Sequence, residues 1–582
     1  MKEGQIGMKH LCVGPLVRAT SATSVVIWAE FAQPCTVILS ATLDASPEQP
    51  AILVKTRTIP IGGHHYVASQ LQGLEPARWY HYRMEISALA PDDANQATSA
   101  PDTTVHLLQC FRTLDEAETI AEKPLRVIYG SCRQLNEPER DTLDALGQWL
   151  IKHLDLREQV WPHVLLLIGD QIYADIPPTP LVDMRPHMKD GATSFEDFAL
   201  QYTYAWTTTA SVRQVLACIP TYMTYDDHEI TNGWNSTPTW RADMLQSGQE
   251  QVLIDGMVAY WVYQGWGNLD QQETTHPLMR IMQAAEQTGE DALEALRTCI
   301  KQAVYGETDL HWHYTIPTTP PIFVTSTRTN RSNTFTHHTD EHYAPMHIMS
   351  TQQMTELCGW LQAQQTGVSL LVSSVPVLLP PCIGLAEYLA GVRLWTHAIA
   401  PLRWLGRQLA RLQLTIAHRA GFEHWPIYTT SWHELVKSVA QQTGDVVVLA
   451  GDVHFSYAVE GCPVISHRSH TQLSRLYQLV STPIQNTLQT KERRLIQGQA
   501  FIRQATYGGL FTRVLPLQVH NAHVDIHHDL LFENTLARVT ITLRPQHEHK
   551  YDLQQEYLGN VDGQLQVIGR TVLASNTVDT IS

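Results

Sequence analysis

The chain has 582 residues, 43% hydrophobic and 17% charged, with 40 basic against 57 acidic side chains and a formal net charge of −17. That much apolar material builds large cores, and with Gly at 32, Pro at 31 and Cys at 9 in no period it excludes disordered, collagen-like and disulfide-scaffold classes. The acidic balance also excludes general nucleic-acid binding by phosphate neutralisation, but not a small anionic substrate, because bound metal ions invert a local field.

At roughly 100–200 residues per domain, this length asks for two or more domains or one large domain with insertions. The opening MKEGQIGMKHLCVGPLVRATS has no long apolar core after its lysines and no twin-Arg pair. No export signal is therefore expected, and a cytoplasmic location is. The nine cysteines (12, 35, 110, 132, 218, 299, 358, 382, 462) are scattered without a CxxC, which reads as reduced and intracellular. Residues 10–115 read as all-β. SVVIWAEF (24–31), TVILSATL (36–43), HHYVASQL (64–71) and RWYHYRMEI (78–86) are short aromatic and β-branched runs between turn signals, predicting a small β-sandwich. LDEAETIAEKP (114–124) reads as an acidic linker.

Between 122 and 500 short apolar runs alternate with helix-like stretches: LRVIYGSC (125–132), VLLLIGD (164–170), PTYMTYDDHE (220–229), VSLLVSSVPV (368–377), DVVVLAGDVHFS (445–456) and RLYQLVSTP (475–483). Continuous apolar strands separated by helices predict sheets buried on both faces. Residues of about 237–350 and 380–440 exceed simple crossovers and read as insertions. The uncharged stretch 366–386 approaches membrane-span length, but Pro376, Pro380 and Pro381 interrupt it. It predicts a buried strand entering a Pro-rich loop, with no transmembrane segment. Arg403, Arg407 and Arg411 recur among Trp404, Leu405, Leu409 and Leu412, predicting a basic amphipathic helix. Its simplest reading is a surface helix packed on its own protein; a lid, a membrane-surface contact or a partner contact are the alternatives. Residues 501–582 read as a C-terminal extension whose strands LARVTITLRP (536–545) and LQVIGRTV (565–572) have no assigned neighbours.

In α/β folds ligands sit beyond the carboxyl ends of strands, and four of these runs end in metal-capable residues. GSCR (130–133) delivers Cys132, a soft anionic ligand as thiolate. GDQIYAD (169–175) carries Asp170, able to give one oxygen to each of two metals. Tyr173 follows, and its phenolate, with a free pKa of about 10, needs a strongly acidic cation such as ferric iron. TYDDHE (224–229), followed by Asn232, is expensive to bury without purpose. There Asp227 suits a metal, His228 suits a general acid or transition-state donor, and Asn232 offers a neutral oxygen. A helix N-cap formed by Asp226 or Asp227 is the plainer alternative. AGDVHFS (450–456) presents Asp452 and His454 at i, i+2. Together these make a shell for two adjacent cations bridged by one carboxylate. Such a pair binds a phosphoryl group, generates hydroxide from water and neutralises the attacking and leaving oxygens. Two further His-rich stretches, HNAHVDIHHD (520–529) and HWH (311–313), read better as an exposed strand face and a packed loop.

With GSC, GDQIY, DDHE and GDVH in that order, residues of about 10–485 resemble the alkaline phosphatase D (PhoD-like) branch of the calcineurin-like metallophosphoesterases. The resemblance implies an α/β fold: an αββα sandwich of two mixed sheets behind an N-terminal β-sandwich. It implies that Cys132, Asp170 and Tyr173 hold an iron-like ion, with Asp170 bridging. Asp227 or Asn232, with Asp452, would hold a second ion, calcium or another divalent such as manganese or zinc; His454 completes the shell and His228 assists the reaction. Arg133, by position, is a phosphate contact. In TSTRTNRS (325–332) Ser326 stands where the family's Asp-Thr-Arg segment has its Asp, while Arg328 remains as a substrate contact. The implied activity is hydrolysis of a small-molecule or lipid phosphate ester, monoester or diester. A non-catalytic metal-binding or adhesion protein on the same fold, and a metal-dependent hydrolase of non-phosphate esters, are the alternatives. Exported relatives carry a twin-Arg signal, so scavenging of external phosphate is not implied here. The oligomeric state is left open.

Overall fold

The computed structural model describes residues 11–88, 107–116, 123–136, 141–234, 238–308, 310–331, 345–364, 367–394, 399–464, 474–520, 524–544 and 551–573. The N-terminal runs fold as expected. Leu11–Thr20, Ser24–Phe31, His64–Gln72 and Ile59–Ile61 form one four-stranded sheet; Ile52–Arg57, Cys35–Leu43, Trp79–Ala88 and Cys110–Arg112 form the other. Along Cys35–Leu43 buried and half-buried residues alternate, as a strand with one covered face requires. The inner faces meet through Val17, Val25 and Ile27 against Leu39, Tyr80 and Tyr82. Of the linker, residues 117–122 lie outside the described residues.

The rest is built on two mixed sheets. The seven-stranded sheet runs Thr221–Thr224, Val164–Ile168, Pro124–Gly130, Thr535–Leu543, Tyr551–Val561, Gln564–Val572 and Gln518–Val519. The eight-stranded sheet runs Tyr314–Ile316, Ile322–Val324, Val368–Ser373, Asp445–Ala450, Leu476–Val480, Tyr457–Pro463, Leu510–Val514 and Gln504–Tyr507. Their facing sides share one core, with Val127, Leu166 and Ile168 against Leu370, Val372, Val447 and Leu449. Their outer faces are covered by helices, among them Thr142–Lys152, Phe195–Thr207 and Ala210–Cys218 on one side and Thr351–Ala363 and Thr429–Gln441 on the other. Burial from both sides is why Val164–Ile168 and Val368–Ser373 are apolar without alternation. This is the expected αββα architecture.

The C-terminal strands, whose neighbours the sequence left open, join both main sheets. Thr535–Leu543 pairs antiparallel with Pro124–Gly130, from Ala537 opposite Tyr129 to Thr542 opposite Pro124. Leu510–Val514 pairs with Tyr457–Pro463. Without Thr535–Leu543 the innermost parallel strand would present an unpaired edge, and Ala537, Val539 and Ile541 fill the core between the sheets. The uncharged run at 366–386 becomes the strand Val368–Ser373, a Pro-rich loop and the start of the helix Pro381–Gly391. Among the described residues no helix is long and apolar enough to cross a membrane.

Polar contacts seat the sandwich on the two-sheet body. Buried Arg18 donates to Asn268 Oδ1 at 2.9 Å, and the Asn268 amide pairs with the Met223 N–H at 3.0 Å and carbonyl at 2.8 Å. His64 lies between Glu30 (2.7 Å) and Glu196 (2.5 Å), the latter in the first turn of Phe195–Thr207. Burial pulls the ring pKa down, but hydrogen bonds and charge from the two carboxylates outweigh it and raise the ring to about 9. An unfolded histidine titrates near 6.5, so this contribution is complete below that pH and is lost as pH rises through about 9. The wild type is expected to lose about 2 kcal/mol more than His64→Gln between pH 6.5 and 9.5, measured by urea unfolding at each pH.

Candidate active site

The four polar motifs follow the carboxyl ends of Pro124–Gly130, Val164–Ile168, Thr221–Thr224 and Asp445–Ala450, and the parallel pairing of the first three brings those ends together. The turns are sharp. Cys132, Asp170, Asp452 and His454 have φ of 58°, 53°, 72° and 57°, a left-handed conformation that costs a non-Gly residue roughly 1–3 kcal/mol. Glycines permit the approach: a Cβ on Gly169 would lie 2.5 Å from Asp226 Cβ, and one on Gly451 would lie 2.0 Å from Ser131 Oγ. Beneath the turns, fully buried Glu229 accepts the backbone N–H groups of Asp170 (2.9 Å), Gln171 (2.7 Å) and Asp226 (2.7 Å), and Gln264 Nε2 at 3.0 Å.

One half of the site holds Cys132, Asp170, Tyr173 and His454. Cys132 Sγ lies 3.4 Å from Asp170 Oδ2, and Tyr173 Oη lies 3.4 Å from His454 Nε2. Asn486 Nδ2 donates to Tyr173 Oη at 2.7 Å and lies 3.4 Å from His454 Nε2. In the other half Asp227 is common to two clusters: its donor atoms lie within 4.8 Å of those of Asp170 and His228, and within 4.8 Å of those of Asp226 and Asp452. Of the two alternatives for the second ion, Asp227 is thus the one gathered in. Asn232 is exposed, with its backbone N–H on Asp175 Oδ2 at 2.9 Å. His228 stacks on Tyr173 with ring centroids 4.2 Å apart, and its Nδ1 meets Asp175 Oδ1 at 2.7 Å.

Both arginines expected at the substrate pair with carboxylates. Arg133 is buried, with Nε and Nη2 on Asp141 Oδ2 (2.9 and 2.7 Å) and Nη1 on the Ala205 carbonyl (2.6 Å). Asp141 also caps Thr142–Lys152, so Arg133 braces that helix start. Arg328 is fully buried against the acidic cluster. It bonds Asp226 Oδ1 through Nε, meets Glu423 Oε2 at 2.5 Å, and lies 3.7 and 3.6 Å from Asp227 and Asp452. It is the cluster's counter-charge. Ser326 bonds Tyr225 Oη at 2.5 Å and Thr329 Oγ1 at 2.8 Å, a neutral arrangement in place of the expected Asp.

The insertion at 380–440 supplies residues that the motifs do not reveal. His424 Nε2 meets Asp452 Oδ2 at 3.0 Å, and its Nδ1 meets Glu387 Oε1 at 2.6 Å; all three are largely buried. Glu423 joins Arg328 and Arg331. Glu387 belongs to Pro381–Gly391, and neither it nor His424 has a spacing in the sequence that marks it. Asn486 was equally silent, in a loop after Leu476–Val480. Beside His454 and Asn486 opens a cleft of about 710 Å³, walled by Arg493, Phe532, Asn534 and Asn560. The other two His-rich stretches are separate: His313 meets Glu356 at 2.6 Å with His311 nearby, and His527 bonds the Gln497 carbonyl, while residues 521–523 lie outside the described residues.

Electrostatics of the site favour added positive charge. Burial and then Asp227 push the Asp170 carboxyl well above its ordinary range; burial with the charges of Asp452 and Asp227 does the same for Asp226 despite Arg328. Burial and Asp170 raise the Cys132 thiol, and burial and Cys132 raise the Tyr173 phenol. Asp226 Oδ2 is buried without a hydrogen-bond partner among the described residues. Thiol, phenol, imidazole and carboxylates converging with surplus negative charge fit metal cations, which lower the pKa of such donors.

Fold and site together define a two-sheet αββα architecture with a candidate metal centre at its strand ends. The model of the PhoD-like phosphatase family matches residues 150–508, and the chain belongs to that family. A domain of unknown function, DUF7800, matches residues 8–102, the sandwich. A solved structure of PhoD is similar over 99% of this chain and 94% of its own, with a TM-score of 0.56 and 13% identity, a likeness of fold. The sensor domain of the anti-sigma factor RsgI4 from Pseudobacteroides cellulosolvens covers 19% of this chain and 76% of its own at 16% identity, with a TM-score of 0.13, too low to inform function. No curated protein matches the chain.

Glu229→Gln retains one carbonyl oxygen for groups that now share two carboxylate oxygens. It is expected to cost about 2–4 kcal/mol in chemical denaturation while leaving the secondary structure of the folded form unchanged by circular dichroism.

Proposed function

We propose that this PhoD-like phosphatase is a phosphoric-ester hydrolase working through a dinuclear metal centre, with phosphodiesters as its better substrates. The observation that carries the reading is the meeting of Cys132, Tyr173 and His454 on one side of Asp170 with Asp227 and Asp452 on the other. In this reading Cys132, Asp170, Tyr173 and His454 hold an iron-like ion; Asp170, Asp227 and Asp452 hold a second, calcium, manganese or zinc. When bound, the ions supply Lewis acidity toward the phosphoryl oxygens and acidify a water.

The chain's own residues do the rest. His454 is held by burial at about 4, so its ring is neutral and offers a lone pair at neutral pH. His228, whose Nδ1 meets Asp175 Oδ1 at 2.7 Å beside Asp170 and Asp227, would donate a proton to the leaving oxygen. Tyr173 and Asp175 fix the plane of that ring. The His424 ring, anchored on Glu387, orients Asp452. The cleft beside His454 takes the alcohol part of the ester. A monoester brings a second negative charge that calls for further cationic groups. Arg133 and Arg328 are committed to carboxylates, and Arg493, the one arginine or lysine lining the cleft among the described residues, is paired with Asp525. This favours a diester.

Purified protein is expected to release nitrophenol from bis(4-nitrophenyl) phosphate faster than from 4-nitrophenyl phosphate, to lose this with chelator, and to regain it with iron plus calcium or with manganese. Asp170→Ala and Asp452→Ala should each cost at least about a hundredfold in kcat/KM with unchanged circular dichroism. Wild-type rates in either variant would overturn the assignment. His424→Leu is expected to weaken binding of the second Mn²⁺ equivalent by about 10–100-fold in calorimetry, and His424→Gln, which still offers Asp452 an N–H, by less.

A further inference from the structure

The HWH run at 311–313 divides in the structure. Trp312 is buried, its ring centroid 5.5 Å from that of Tyr260 and 6.1 Å from that of Tyr225. The residues from 311 to 314 alternate half-buried and buried, so the imidazoles of His311 and His313 leave an extended chain on the same side. They meet the helix Thr351–Ala363, where Gln352 and Glu356 stand one turn apart on an exposed face. Glu356 Oε2 lies 2.6 Å from His313 Nε2, while Gln352 Nε2 donates to Glu356 Oε1 at 2.9 Å and lies 3.4 Å from His311 Nε2. Donor atoms of His311, His313 and Glu356 all lie within 4.8 Å of one another. Both histidines are also held from behind. His276 Nε2 meets the His311 carbonyl at 2.8 Å, and the His313 ring stacks on Phe323 with centroids 5.6 Å apart and planes 15° apart.

We propose that His311, His313 and Glu356 bind a divalent transition-metal ion of the zinc type, at a site separate from the candidate active site. Two imidazole nitrogens and one carboxylate are a zinc ligand set, with water in the fourth tetrahedral place. Ligands about 2.0–2.2 Å from a tetrahedral ion stand roughly 3.4 Å apart, a spacing this cluster reaches by small side-chain shifts. A histidine–glutamate ion pair alone accounts for His313, but not for the second imidazole brought to the same carboxylate. The set contains no thiol or phenol and shares no residue with the centre at the strand ends. The ion acts as a staple. It ties the segment leading into the edge strand Tyr314–Ile316 to the helix Thr351–Ala363. That helix also carries Gln353, which accepts the Ser326 N–H at 2.8 Å and donates to the Ser326 carbonyl at 3.0 Å, two residues before Arg328. The staple therefore steadies the helix that holds the loop of the cluster's counter-charge, and takes no part in the reaction. The inference does not depend on the reaction catalysed at the other site.

The test is calorimetric titration of the full chain, dialysed against chelator, with Zn²⁺. The wild type is expected to bind one equivalent more than the double variant His311→Ala, Glu356→Ala. Either substitution alone should weaken that equivalent at least about a hundredfold, since losing only a hydrogen-bond partner of a metal ligand costs about 10–100-fold. Gln352→Ala keeps all three ligands and should keep the equivalent. Asp170→Ala should keep it too, which separates the ion from the candidate active site. In the Asp170→Ala protein zinc is expected to raise the unfolding temperature, because the ion binds the folded chain, and adding His311→Ala and Glu356→Ala should reduce that rise. All variants should keep the wild-type circular dichroism. Equal numbers of equivalents in the wild type and the double variant overturn the proposal. So does loss of this equivalent in Asp170→Ala, or a rise in unfolding temperature that the added substitutions leave unchanged. Absence of ester turnover in the wild type would count against the hydrolase reading and leave the titration result intact.

Discussion

The carboxylate of Glu229 holds the site together. Its two oxygens collect three backbone N–H groups from two neighbouring strand ends, groups that no strand or helix can satisfy because the chain turns there. Each would cost about 1–3 kcal/mol if left unpaired in this depth of burial. With them satisfied, Asp170 and Asp226 can sit in tight turns at adjacent strand ends, and Gly169 can pass against Asp226. The same carboxylate reaches outward. Gln264 bonds both Glu229 and Tyr202, while the Gln264 carbonyl accepts from Arg18 of the sandwich. A continuous polar path therefore links the N-terminal domain to the turn that carries Asp170.

Concentrating so much negative charge needs internal relief, and the body of the protein supplies it from distant parts of the chain. Arg328 comes from the loop after Ile322–Val324, Glu423 and His424 from the long insertion, and each bonds to the cluster or to a residue that does. Burial alone would raise Asp452, yet His424 and Arg328 hold its carboxyl well below the ordinary range. Asp170 and Asp226 stay high because burial and their acidic neighbours outweigh the charge within reach. The site is thus divided into a portion neutralised by the protein and a portion left to be neutralised by a ligand of positive charge.

How much could be read beforehand follows from what kind of information each feature carries. The strands Val164–Ile168, Val368–Ser373 and Asp445–Ala450 were legible because a run of apolar residues buried on both faces has no other stable placement. Cys132, Asp170, Tyr173, Asp227 and His454 were legible because each lies within a few residues of such a strand end. Asn232 and Arg133 lie equally near, but proximity in sequence does not give the direction of a side chain: a turn exposes Asn232, and Asp141 captures Arg133. Glu387, His424 and Asn486 carry no local pattern at all. The C-terminal strands read correctly as strands, while their neighbours, more than 400 residues away in the case of Ala537 and Tyr129, did not.

By itself, then, the sequence determined the alternation of apolar strands and helices, the β-sandwich ahead of them, and the inventory of donor groups at four strand ends, because these depend on hydrophobic period and on local chemistry. Tertiary structure decided which donors share a centre, which charges oppose them and which element completes each sheet. It also decided that the helix Ala400–Ala420 turns Leu402, Leu405, Leu412 and Ile416 outward, since a helical period states that two faces differ but not which of them the rest of the chain will cover.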